Sequence, residues 1–258
     1  MAEAPDTGVR PADTPPSAAP ATPPTTGPSP AVGYARLAGV LGVAFAVLLA
    51  VGLVLVHRSP ALSASDTDYT AFYGDGGRTV LVTVGLYLVP FAGIAFLWHM
   101  TTVRLLVREL TPQNSGKEPS PIPYGLQVVS GGLFVALLFA GSAAAGAVAL
   151  LQDLGDGPVP GADVGRSLTG VGYALVFVYA VRMAGMYAIT TTTLLLHAGL
   201  LPRWVALLSY LMAAVMLVST TLHPALLLVF PGWVALAGLI VLSRTGRSGV
   251  RTSPRSRP

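Results

Sequence analysis

Cysteine is absent from the chain, which removes disulfides, thiolate nucleophiles, Cys-ligated zinc and Cys-ligated iron–sulfur clusters in one step. Charge is scarce as well. Charged residues make up 10% of the sequence and hydrophobic ones 53%, whereas soluble domains carry roughly a quarter charged residues. Asp and Glu are missing from every long apolar run. Those runs extend for about twenty residues, the length a helix needs to cross a hydrocarbon layer of roughly 30 Å. The net charge of +4 is small and unevenly spread, and no basic stretch is interleaved with aromatics, so nucleic acid is excluded as a partner.

What is present is a series of six apolar runs: Leu37 to Val56, Thr79 to Trp98, Tyr124 to Leu151, Leu168 to Leu196, Trp204 to Leu222, and Ala225 to Ser243. They lack the alternating polarity of barrel strands, and in lipid a helix satisfies its own backbone hydrogen bonds. The fold class expected is therefore all-α, a polytopic bundle of six transmembrane helices in contact with the lipid bilayer. Residues 1–33 hold nine of the 22 prolines and read as a disordered Pro/Ala/Thr-rich tail. Residues 34–243 form the membrane domain, and 244–258 a basic disordered tail. The first run is longer than a signal-peptide core and lacks a strongly basic start, so it reads as an anchor rather than a leader cleaved near Ser63. His223 and Pro224 alone separate the last two runs, which leaves a tight hairpin and a re-entrant helix both open.

Basic residues set the orientation. Eleven of them, Arg10, Arg36, Arg104, Arg108, Lys117, Arg203, Arg244, Arg247, Arg251, Arg255 and Arg257, fall on the side of the two termini. Arg58, Arg78 and Arg166 fall on the other, together with Asp66, Asp68, Asp75, Asp153, Asp156 and Asp163. The positive-inside rule then places both termini in the cytoplasm and the protein in a plasma (cytoplasmic) membrane. Trp98, Trp204 and Tyr124 are expected at the inner boundary. The segment TTVRLLVREL after Trp98 is expected to run on as an amphipathic helix along the inner surface, with the TPQNSGKEPSPIP loop behind it.

Small residues recur at helical spacing: Ala38, Gly42, Ala46 and Ala50; the GSAAAGA run at 141–147; and Ala180, Ala184 and Ala188. Such faces pack helices in lipid, either within the chain or against a protein partner or second copy. Pro90 and Pro231 are expected to kink their helices.

Arg182 is the one basic residue inside a span. A wheel at 100° per residue puts Arg182, Tyr179, Thr190, Thr193 and His197 in one sector, with the alanines roughly opposite. A charge near the middle of a span is costly and must find partners. No span offers a carboxylate, so the candidates are Tyr and Thr hydroxyls, Gln127, carbonyls loosened near a proline, water, or an anionic ligand. Tyr179, Arg182, Thr190, Thr193 and His197 are accordingly the candidate ligand-binding residues, and no catalytic or metal-binding set is assigned. Of the four consecutive threonines at 190–193, at most two can line one cavity.

Other chemistry has less support. His57 and His223 fall outside, His99 and His197 inside, and two facing imidazoles could hold a haem or, with a third ligand, a metal. DLGDG at 153–157 lacks the oxygen spacing of a calcium loop. Ser130 and Ser142 lack a nucleophile-elbow pattern.

Residues 182–210, RMAGMYAITTTTLLLHAGLLPRWVALLSY, resemble a segment of uncharacterised multi-pass membrane proteins of high-GC bacteria, in which an R-M-A core is followed by Ser/Thr and then P-R-W. Pro202, Arg203 and Trp204 are its most specific part. The resemblance implies a membrane protein and no particular activity or cofactor. Three functional readings stay open: binding or passage of a small solute, an anion being the natural choice, around Arg182; a non-transporting accessory or assembly role; and a bis-histidine haem or metal protein.

Overall fold

The computed structural model describes residues 30–111, 121–155, 157–219 and 225–250. It is all-α among these residues. The helices are α1 (Pro30–Val56), α2 (Asp66–Tyr73), α3 (Gly76–Leu110), α4 (Pro121–Leu154), α5 (Ala162–Tyr173), a π-helical segment (Ala174–Ala180), α6 (Val181–His197), α7 (Arg203–Val218) and α8 (Ala225–Val250). The segment Ala162–His197 runs as one continuous rod. Five helices are long and apolar enough to cross a membrane: Pro30–Val56, Gly76–Leu110, Pro121–Leu154, Ala162–His197 and Leu227–Thr245. The sixth expected span, α7, is helical but only 16 residues long, about 24 Å of rise. The helix α1 begins inside the stretch read as a tail, and α8 continues to Val250, past Ser243. Residues 1–29, most of the 111–123 loop, His223 with Pro224, and residues 251–258 lie outside the described residues.

Successive long helices run in opposite directions. Gly42 meets the Val234 carbonyl and Gly238 meets Ala38, which sets α1 against α8. Met100 faces Gly131, and Thr79 Oγ1 donates to Asp153 Oδ1 at 2.6 Å, which sets α3 against α4. Tyr187 faces Gly131, setting α4 against α6, and Thr193 meets Tyr210, setting α6 against α7. We call the end that carries the start of α1 proximal and the end that carries α2 distal.

At mid-bundle six aromatic rings fill the axis. Phe45, Phe96, Phe134, Tyr187, Phe230 and Trp233 are all at most 7% exposed, and contacting centroids lie between 4.9 and 6.4 Å apart. Most pairs are tilted or edge-on, the arrangement that the ring quadrupoles favour. The small-residue faces work around this plug. Ala38 and Gly42 let α8 and His99 approach α1, Gly141 lies against Gly172, and Ala180, Ala184 and Ala188 are buried in the core. All three faces are therefore used within the chain, at least at these positions.

At the proximal end, α3 continues straight past Trp98 instead of turning along a surface. Val103, Leu106 and Val107 are buried in one apolar cluster with Ala31, Ala35 and Ala38 of α1 and with Leu194, Leu195, Leu200, Leu201 and Val205. Trp98 itself is close to Phe96, nearer the middle of the bundle than its end. The expected surface helix is overruled because one face of TTVRLLVREL joins the apolar cluster formed by the start of α1 and the α6–α7 corner. At the distal end α2 is started by a capping box, Ser65 with Asp68. Hydrogen bonds from the Ser65 hydroxyl and backbone hold the Asp68 carboxyl below its ordinary value of 3.8. Its contribution is complete above that pH and is lost as pH falls through the depressed native value. Arg166 ties this cap down, bonding the Ala64 carbonyl and Asp66 Oδ1, both at 2.6 Å, and stacking over Tyr69.

The crossing of Gly141 and Gly172 makes a direct test of the packing. A Cβ on Gly172 would lie 2.5 Å from the Gly141 carbonyl oxygen, so Gly172→Ala should cost about 1–3 kcal/mol through overpacking. A Cβ on Gly132 meets nothing within 4 Å, so Gly132→Ala should stay within about 0.5 kcal/mol of the parent. Thermal unfolding in detergent separates the two, and equal effects would contradict the packing described.

Candidate functional site: Arg182 at the end of α7

Arg182 lies at mid-depth. It falls between Tyr187, which faces Gly131, and Val176, which faces Gly141, and so stands level with Phe134, Phe96 and Phe45 near the midpoint of α1. Its side chain points back toward the N-terminus of its own helix, as helical side chains do. The π-helical segment ends just before it, and π turns often mark the working part of a helix. Two carbonyls of that segment receive the guanidinium: Nη1 donates to Val178 and, at 3.5 Å, to Phe177. Nη2 donates at 3.4 Å to the carbonyl of Ser219, the residue that closes α7.

The third contact explains the charge. Because α7 rises only about 24 Å, it ends beside the aromatic plug rather than at the distal surface. The C-terminus of a helix carries unsatisfied carbonyls and a partial negative charge. Irregular backbone at membrane depth is tolerated only where protein or water satisfies it. Arg182 supplies both the donors and the positive charge at that point. On α8, Val234 and Gly238 pair with Gly42 and Ala38 of α1, and Leu227 faces Leu49 and Leu53.

The other residues of the expected stripe do not join Arg182. Tyr179 is 55% exposed on the outside of the bundle. It sits in the π-helical segment, whose turns hold one residue more than the α-helical turns assumed by the wheel. The Thr190 hydroxyl donates back to the Met186 and Tyr187 carbonyls, both at 3.0 Å. Thr193 donates to the Ile189 carbonyl and pairs with Tyr210 Oη at 2.9 Å. His197 is exposed, and its Nδ1 meets the Thr193 carbonyl at 2.8 Å. Thr193 and His197 stand about 16 Å or more along the axis from Arg182. Among the described residues the ion pairs are Arg78 with Asp75 and Arg166 with Asp66 and Asp163, all distal.

A second polar group lies deeper in the proximal half. Gln127 pairs not with Arg182 but with Thr191, its Nε2 donating at 3.0 Å. The Tyr187 hydroxyl faces both residues without reaching hydrogen-bond geometry among the described residues. Tyr187 and Tyr210 were missed in the sequence because single tyrosines in apolar runs carry no periodic signal. Ser209 receives the Trp233 indole N–H at 2.8 Å, a tie equally invisible in a linear pattern.

Among the described residues His57, His99 and His197 lie apart from one another. His99 is buried and its Nδ1–H donates to the Ala38 carbonyl at 2.8 Å. His57 is exposed at the distal end, and His223 lies outside the described residues. No group of three metal-ligating side chains occurs among the described residues.

The helices and their apolar surfaces define a multi-pass membrane protein. Comparison with protein-family models, curated proteins and solved structures finds no match.

If Arg182 holds the end of α7, Arg182→Ala should destabilise the purified protein by about 1.5–3 kcal/mol, the range for hydrogen bonds to a charged group. Arg182→Lys, which keeps the charge and one or two bonds, should recover part of the loss. Unchanged thermal stability in Arg182→Ala would contradict this role.

Proposed function

We propose that the protein is a six-helix plasma-membrane protein with both termini cytoplasmic, and that it serves as a non-transporting accessory or assembly component. The observation that supports this most is the plug of six aromatic rings across the middle of the bundle. Arg182, the residue best suited to an anion, directs its guanidinium to three carbonyls at the negative end of α7. That surrounding suits a cation and disfavours an anionic solute. The basic residues of the described helices agree with the orientation: Arg36, Arg104, Arg108, Arg203 and Arg244 belong to the proximal half, the side held by the cytoplasm. Ala38, Gly42, Gly141, Ala180, Ala184 and Ala188 are buried inside the chain, so a partner would meet the apolar outer face of α7. There Trp204, Leu207, Leu208, Leu211, Val215 and Val218 are 54–78% exposed.

Two measurements test the reading. Reconstituted in liposomes, the protein should pass chloride, phosphate and acetate no faster than protein-free vesicles. A saturable flux lost in a folded Arg182→Lys variant would overturn the accessory role in favour of solute passage. The absence of cysteine makes single-cysteine labelling free of background. Ser63→Cys should react with an impermeant thiol reagent on intact cells and Ser115→Cys only after permeabilisation; the reverse pattern would invert the topology.

A further inference from the structure

At the distal end the last turns of α1 stand apart from the π-helical segment. The space between them is a slot of about 190 Å³ lined by Leu53, Val56, Phe177, Leu227 and Leu228, with His57 and Tyr173 also on its wall. A separate small cavity of about 10 Å³ also has Leu53 and Leu227 on its wall, together with Phe134 and Phe230 of the aromatic plug. The slot is apolar and lies along the distal half of α1. Its two polar side chains are His57, just past the end of α1, and Tyr173 at the last residue of α5. Val54 and Leu228 are 57% and 43% exposed, so the slot opens sideways toward lipid.

Cavities with apolar walls stay dry, and a void leaves its lining without contact partners. In a bilayer the molecule that can fill such a space from the side is a lipid tail. We propose that this slot binds part of one acyl chain of a distal-leaflet phospholipid, with the chain lying against Leu53 and Phe177 and the headgroup remaining at the level of His57. An acyl chain matches the slot in polarity and in its lateral opening. This binding is independent of whether the bundle conducts a solute, and its test is independent of the flux measurement.

The test is native mass spectrometry of protein taken from vesicles of 16-carbon phosphatidylglycerol and phosphatidylcholine and washed in mild detergent. The parent should retain one phospholipid per chain. Leu53→Trp, which fills the slot, should retain at least tenfold less, and Leu227→Phe should act in the same direction if the first variant folds poorly. Val47→Trp, on the 56% exposed lipid face of α1, should retain as much as the parent. Absence of retained lipid in the folded parent would overturn the proposal. So would equal retention by Val47→Trp and the folded slot-filling variants.

Discussion

The contact between Arg182 and the carbonyl that closes α7 is the constraint on which the distal half of the bundle depends. A helix of 16 residues cannot reach from one face of a bilayer to the other, so its end must be satisfied by protein. The guanidinium does this with one nitrogen while the other is held by Phe177 and Val178 of the preceding π-helical segment. A neutral donor could meet the carbonyl but not the partial charge at the helix end.

The middle of the bundle is held differently. No hydrophobic force separates leucine from lipid, so association rests on close approach and dispersion. Glycines and alanines bring backbones together at Gly42, Gly141 and Gly172, and the space left on the axis is filled by rings. Polar groups act as single ties, Gln127 to Thr191, Trp233 to Ser209 and Thr193 to Tyr210. His99 belongs to this set, since its bond to Ala38 fastens α3 to α1. Each joins two helices near their contact and none forms a continuous polar path among the described residues.

The sequence revealed the helices and most of their limits because apolar length is a local property: 37–56, 79–98, 124–151, 168–196 and 225–243 all fall within observed helices. The mid-span depth of Arg182 was legible for the same reason. Its partners were not, because Ser219 is 37 residues away in sequence and no pattern reports a π-helical turn. The wheel grouped Tyr179 with Arg182 by assuming uniform α-helical turns, and it grouped Thr193 and His197 by angle while ignoring their axial distance. The capping box at Ser65 and Asp68 was legible in principle as Ser-x-x-Asp ahead of a helix. The buried face of α3 beyond Trp98 depended on the cluster it forms with α1 and the α6–α7 corner, which only the tertiary structure supplies.

The central claim is that α7 ends inside the membrane, on Arg182. The direct measurement is the bilayer depth of a spin label at Ser219→Cys, a change that leaves the backbone carbonyl in place. The accessibilities of the label to oxygen and to a water-soluble nickel chelate should give a depth within about one helical turn of a label at Ile94, which stands level with Arg182 on the lipid face of α3. A depth matching a label at Leu62, in the distal loop, would contradict the account.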